Sequence, residues 1–278
     1  MRYKLTIEYC GKDLIGWQKQ KDFPNSAQGL IEEALFNLTG SKVEIHGSGR
    51  TDAGVHALAQ IAHFDLKQNI SHQPSADANF TANDRRSTPR GPQTGTSNRC
   101  SSFDAFKMKA GLNHFLKNSN VAILDCCEMD ENFHSRFNAK RRHYQYRIIN
   151  RHAQLTFERD FAWKVATPLN LEKMREAAQF LIGTHDFTSF RDSECQAKTP
   201  VKTLEKIEIL RTGDEIKLNF SAKSFLHHQV RNMVGTLVLV GEGKIKPDDV
   251  KKILEAKDRT KSGPNAPAWG LYFVGVDY

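Results

Sequence analysis

Tyr3, Leu5, Ile7 and Tyr9 alternate with Lys4, Thr6 and Glu8. A period of two buries one face of a strand and wets the other. The period then changes. Ala27, Leu30, Ile31, Ala34, Leu35 and Leu38 recur at helical spacing, with Ser26 placed to cap the start and Gly40 to stop the end. Short alternating strands are predicted at Lys42–His46 and Gln60–Leu66, a helix from about Ser102 to Lys117, and a strand from Val121 to Glu128. The order is β-α-β-β-α-β.

The second half repeats it. A strand is predicted over Arg142–Ile149 and a helix over Asn170–Ile182 that ends at Gly183. A hairpin pairs Leu204–Leu210 with Glu215–Ala222 across Thr212-Gly213-Asp214. A helix carrying Val230, Met233, Val234 and Leu237 follows, then one opened by Pro247, then a strand at Leu271–Asp277. The expected fold class is α+β: two pseudo-symmetric β-α-β-β-α-β (ferredoxin/RRM-like) halves sharing a central sheet, with a cleft between them. The halves are residues 1–133 and 134–278.

One stretch departs from both periods. Between Lys67 and Arg99 the only large apolar residues are Ile70 and Phe80. Such a segment buries too little to offset its conformational entropy, so residues 68–101 read as a polar, disordered insertion. Arg85, Arg86, Arg90 and Arg99 against Asp84 leave it net positive, and a solvated loop is favoured over an RNA tether.

Composition narrows the class. A formal charge of +8 over 278 residues favours a polyanionic partner through steering and non-specific attraction. The five cysteines are odd in number and form no C-x-x-C pair, so neither a disulfide framework nor a zinc knuckle is expected. Cys126 and Cys127 read as free thiols in an apolar run. No signal peptide or membrane-length apolar stretch is present. A reducing, cytoplasmic setting is the default.

Chemistry concentrates in a few segments. Gly49-Arg50-Thr51-Asp52-Ala53-Gly54-Val55-His56-Ala57 sets one carboxylate between two glycines at the mouth of a sheet. Taken alone, Gly-x-x-Asp-x-Gly is turn chemistry. Arg50, two residues before Asp52, is placed to keep it ionised by charge pairing. From Arg136 to Arg151, Arg136, Lys140, Arg141, Arg142, Arg147 and Arg151 occur with no acid, interleaved with Phe137, Tyr144 and Tyr146. That composition suits base stacking with phosphate contacts. His185-Asp186 is not expected to act as a dyad, because neighbouring side chains diverge, and the segment reads as a structured loop closing the cleft. The same argument sets His227-His228 aside as a metal pair, since no third ligand stands at suitable spacing. Arg231, in an otherwise apolar helix, requires a partner.

The nine-residue Asp52 loop resembles the catalytic loop of the TruA family of tRNA pseudouridine synthases. Further segments resemble that family in its order. They are Phe133-His134-Ser135-Arg136-Phe137, Arg142-His143-Tyr144-Gln145-Tyr146, Gly183–Phe190 and Phe225–Gly235. The resemblance implies isomerisation of uridine to pseudouridine at positions 38, 39 and 40 of the tRNA anticodon stem-loop. It implies Asp52 as nucleophile, Tyr144 against the target uracil, Arg50 entering the helix to displace the nucleotide, and Arg231 beside the aspartate. It also implies a homodimer; no metal, small-molecule cofactor or membrane is expected. Tyr146, two residues on from Tyr144, reads as a core aromatic. The alternatives are a non-catalytic RNA-binding protein of RRM-like topology, and a hydrolase or phosphotransferase using Asp52. The first lacks the aromatic-rich RNA-binding strand; the second lacks a nearby acid to hold a metal.

Overall fold

The computed structural model describes residues 1–20, 25–66 and 104–278, so the expected polar insertion lies outside the described residues. Strand β1 (Arg2–Tyr9) precedes helix α1 (Ala27–Thr39), the short β2 (His46–Gly47), β3 (His56–Asp65), α2 (Ala105–Leu116) and β4 (Val121–Met129). Then come β5 (Arg141–Asn150), β6 (Trp163–Val165), α3 (Leu171–Gln179), β7 (Gly183–Asp186), β8 (Val201–Thr212) and β9 (Glu215–Ala222). The chain closes with α4 (Gln229–Gly241), α5 (Pro247–Ala256) and β10 (Leu271–Asp277).

The mixed α+β class is as expected, and the strands form one sheet in the order β4-β1-β3-β10-β5-β9-β8-β7. In the first half β1 lies between β4 and β3, with β2 on β3. In the second, β5 lies between β10 and β9, with β8 on β9. The two halves therefore share one neighbour order. They meet where β10 runs parallel to β3 (Tyr272 opposite His56) and antiparallel to β5 (Phe273 opposite Tyr144). The C-terminal strand thus lies at the seam, and a single buried cluster runs from Leu5 and Phe64 through Phe273 to Phe220 and Leu237.

Local chemistry explains the helices. The Ser26 side chain accepts from Gly29 N, and Gly40 ends α1 at φ 69°, a left-handed conformation that glycine adopts without penalty. Two expectations change, and one strand is added. Lys42–His46 is not a strand: Ile45 N donates to Glu32 and Ile45 O accepts from Gln28, so α1 side chains use the backbone groups a partner strand would need. Only His46 and Gly47 pair, with β3. Gly183–Asp186, read as part of a loop over the cleft, is the edge strand β7 paired with β8. Trp163–Val165 forms β6 on β5 and was not foreseen, being too short for a periodic signal.

Candidate active site

The Asp52 turn joins β2 to β3 and is pinned from beneath by the segment after β1. Trp17 N donates to Thr51 O, and Gly54 N to Leu14 O. Gly16 is required there: at φ +104° a Cβ would stand 2.4 Å from Thr51 O. A side chain at Gly47 would meet the Trp17 ring at 2.6 Å. The Tyr9 hydroxyl lies 2.7 Å from Thr51 Oγ1, both buried. From the other side, buried Arg142 on β5 donates Nε and Nη2 to Ser48 O at 3.0 and 2.7 Å, and Nη2 also to Arg136 O at 2.9 Å. Burial pushes its guanidinium pKa down. The loop is a rigid platform built from both halves.

Asp52 reaches the first turn of α4. Arg231 Nη1 lies 2.9 Å from Oδ2 while its Nε donates to Ala266 O at 2.7 Å. His228 Nε2 lies 3.1 Å from the same Oδ2, and His227 Nε2 lies 3.2 Å from Oδ1. The Asp52 side chain keeps 21% of its surface and Arg231 13%. Burial alone would favour the neutral acid. Hydrogen bonds from His227, His228 and Arg231 outweigh it and hold the carboxyl well below the usual carboxylate range. Asp52 is an anion throughout the neutral pH range.

The expected partner for that anion was Arg50, and this is corrected. Arg50 is exposed and forms no ion pair among the described residues, while Arg231 makes the contact. The reading of His227 and His228 as divergent is also corrected. His228 caps α4 at φ 60°, ψ 2°, in the left-handed region. The two ring centroids therefore lie 4.0 Å apart with the planes tilted by 31°, and both rings face Asp52. A left-handed residue defeats the rule that neighbours point apart, and His-His before an apolar helix gives little warning of it. One atom each from Asp52, His227 and His228 lies within 4.8 Å of the others, a spacing that could hold a metal. Arg231 already supplies a cation to the shared carboxylate, which disfavours a second. Behind them stands Asp192, which nothing in the sequence singled out, with Oδ2 2.6 Å from His228 Nδ1.

Tyr144 is nearly buried, edge-on to Phe225 and Phe273 at 5.1 Å from each. Its hydroxyl lies 3.8 Å from where a Gly49 Cβ would sit. Burial, then the nearby Tyr9 and Asp52, push its phenol up, so it stays protonated. Tyr146 is fully buried and donates to Pro267 O, a core aromatic as expected.

The basic run is less free than its sequence implied. Arg141 pairs with Glu205 and Asp277, Arg147 with Glu215 and Glu158, and Arg151 with Asp214. Acids from β8, β9 and neighbouring turns neutralise it; Arg136 and Lys140 form no ion pair among the described residues. Exposed Phe137 packs against His134 with ring centroids 4.2 Å apart and planes tilted by 36°. His185 and Asp186 do not form a dyad: His185 Nε2 meets Ile182 O, and Asp186 accepts from Thr188.

The His227 contact has a pH signature. The hydrogen bond to Asp52 pushes the His227 pKa up against its burial. Its stabilisation is therefore complete below the ordinary histidine range and is lost as pH rises through the raised value. The stability difference between wild type and His227→Gln should shrink from pH 6 to 9. With the ring 40% exposed, it should not exceed about 1 kcal/mol. Denaturant melts across that range check it; a difference growing with pH contradicts the assigned contact.

A folded pair of β-α-β-β-α-β halves, with an ionised aspartate on a pinned loop at their seam and an arginine locked to it, defines a pseudouridine-synthase-like site. The model of the tRNA pseudouridine synthase family matches residues 5–104 and 177–278. The tRNA pseudouridine synthase A of Ehrlichia canis (strain Jake) is 45% identical over 278 residues, covering all of both chains. That of Paramagnetospirillum magneticum (strain ATCC 700264 / AMB-1) is 46% identical over 277 residues, all of this chain and 95% of that protein. That of Wolbachia pipientis wMel is 41% identical over 278 residues. The chain belongs to the tRNA pseudouridine synthase family, enzymes of the isomerase class.

Proposed function

We propose that this protein converts uridine to pseudouridine at positions 38, 39 and 40 of the tRNA anticodon stem-loop, with Asp52 as nucleophile. The observation that carries the reading is the anionic Asp52, pinned at the seam and locked to Arg231. The reaction exchanges the N1–C1′ bond of uridine for a C5–C1′ bond. The C5 proton leaves, N1 gains one, and composition is unchanged. A carboxylate serves either route, by adding to the ring or by holding C1′ while the base turns, provided that it is ionised.

A stacked uridine must first be taken out of the helix. Exposed Arg50, two residues before Asp52, has a guanidinium available to enter the stack. Tyr144 and Phe225 form the aromatic wall for the extruded base. Asp52 comes from the first half, and Tyr144 and Arg231 from the second. The protein acts in the cytoplasm as a homodimer, so that one tRNA spans both subunits. Among the described residues no helix is long and apolar enough to cross a membrane.

Tyr144 separates stacking from chemistry. Tyr144→Phe should keep tRNA affinity within twofold, whereas Tyr144→Ala should lose about 1–3 kcal/mol of base stacking. If the hydroxyl assists proton transfer, the Phe variant falls to the rate of the Ala variant. Both variants turning over at the wild-type rate would remove Tyr144 from the base contact.

Mapping pseudouridine in tRNA from cells lacking this protein tests the positions. Uridine should persist at 38, 39 and 40 and return to pseudouridine on complementation. Unchanged modification there, or loss elsewhere, would reassign the substrate.

A further inference from the structure

Asp192 has no place in the mechanism above, yet it is built into the site. It follows the turn at 188–190, and that turn is tied to α4 through Asn232 Nδ2, which donates to Phe190 O at 2.9 Å. Asp192 N donates to His227 O at 3.0 Å, and Glu194 N donates to Asp192 Oδ1 at 2.9 Å. The carboxylate therefore has a fixed place, about three-quarters buried, on the far side of two adjacent imidazoles.

Each ring spans the same two acids. His228 presents Nδ1 to Asp192 Oδ2 at 2.6 Å and Nε2 to Asp52 Oδ2 at 3.1 Å. His227 presents Nδ1 to Asp192 Oδ1 at 3.7 Å and Nε2 to Asp52 Oδ1 at 3.2 Å. The 2.6 Å contact is the shortest of the four and fixes the His228 ring, as a carboxylate does for a histidine that must present its other nitrogen. The left-handed backbone at His228 makes this geometry reachable and leaves the ring dependent on such a support.

The two oxygens of Asp52 are consequently unequal. Oδ2 receives both Arg231 Nη1 and His228 Nε2. Among the described residues Oδ1 receives His227 alone, the more exposed of the two rings. We propose that Asp192 is a positioning residue that acts through His228 to anchor Asp52 by Oδ2, leaving Oδ1 as the oxygen that reaches the uridine. This rests on the functional reading given above, in which Asp52 attacks. A supporting carboxylate carries roughly tenfold to a hundredfold in activity where it orients a metal-ligating histidine, and an effect of that order is expected here.

The experiment is a double-mutant cycle on the full chain with unmodified tRNA, reading single-turnover rate, tRNA Kd and melting temperature. Asp192→Ala should slow the step about tenfold to a hundredfold with Kd within twofold. Asp192→Asn, whose amide oxygen still accepts from Nδ1–H, should recover most of the rate. In a His228→Gln background, Asp192→Ala should cost little more, because the two act as one unit. Additive losses, losses that track melting temperature without rescue by Asn, or an Asp192→Ala variant at the wild-type rate each overturn the proposal. A wild-type protein that does not isomerise uridine overturns the functional reading first and this assignment with it. An active wild type with an indifferent Asp192 overturns this assignment alone.

Discussion

Asp52→Asn is expected to lower the single-turnover rate by ~10^4-fold or more while tRNA Kd changes only a few-fold. Removing a nucleophile leaves binding and electrostatics to supply whatever rate remains. On the proposed reading, phosphate contacts supply most of the affinity and the Asp52 carboxylate supplies the chemistry. The variant should also fold, because an amide oxygen can still accept from Arg231, which lies 2.9 Å from Asp52 Oδ2. Rapid-quench assays and filter binding on the same preparation read both quantities. Residual activity above a few per cent of wild type would remove Asp52 from the nucleophile's role.

Arg231→Ala should be the most damaging change made outside the proposed nucleophile. It leaves a mostly buried anion without its guanidinium and strips Ala266 O of its 2.7 Å donor. Breaking a buried pair by removing one partner costs about 3–5 kcal/mol, and the residual exposure of both groups places this pair near the lower end. The Asp52 pKa should rise as burial loses one of its opponents, so the variant's activity should decline towards acid pH where the wild type's does not. Arg231→Lys should retain the charge but not the two-point contact, and fall between the two. Chemical denaturation together with a pH–rate profile checks this. An unchanged acid limb in Arg231→Ala would mean that the histidines alone hold the anion.

Much of this was legible in the chain, for reasons that differ between elements. The β1 alternation from Tyr3 to Tyr9 and the amphipathic face of α1 are long enough for periodicity to identify them, and they stand where predicted. The β8–β9 hairpin announced itself through Thr212-Gly213-Asp214, with Gly213 at φ +59°. Lys42–His46 alternates as a strand does, but Gln28 and Glu32 on α1 occupy the backbone of Ile45, an interaction between side chain and backbone that no period records. At the site, Asp52 stood out because the nine residues around it resemble the family's catalytic loop, and Arg231 because a cation in an apolar helix demands a partner. Arg50 was given that partnership by proximity in sequence. The fold awards it to a residue 179 positions away. Asp192 and the paired histidines were hidden for a related reason: their meeting depends on one left-handed residue and on the turn at 188–190, neither of which leaves a pattern in composition.

Isomerisation of uridine in tRNA by this chain is read from the fate of the C5 proton. Forming the C5–C1′ bond expels that proton to solvent, while composition stays the same. Unmodified tRNA carrying tritium at C5 of its uracils should release label into water on incubation with the purified protein, in proportion to a mass-neutral uridine isomer located in the anticodon arm. The Asp52→Asn protein, run beside it, should release almost none. No release by the wild type, release without the isomer, or equal release by both proteins would contradict the account.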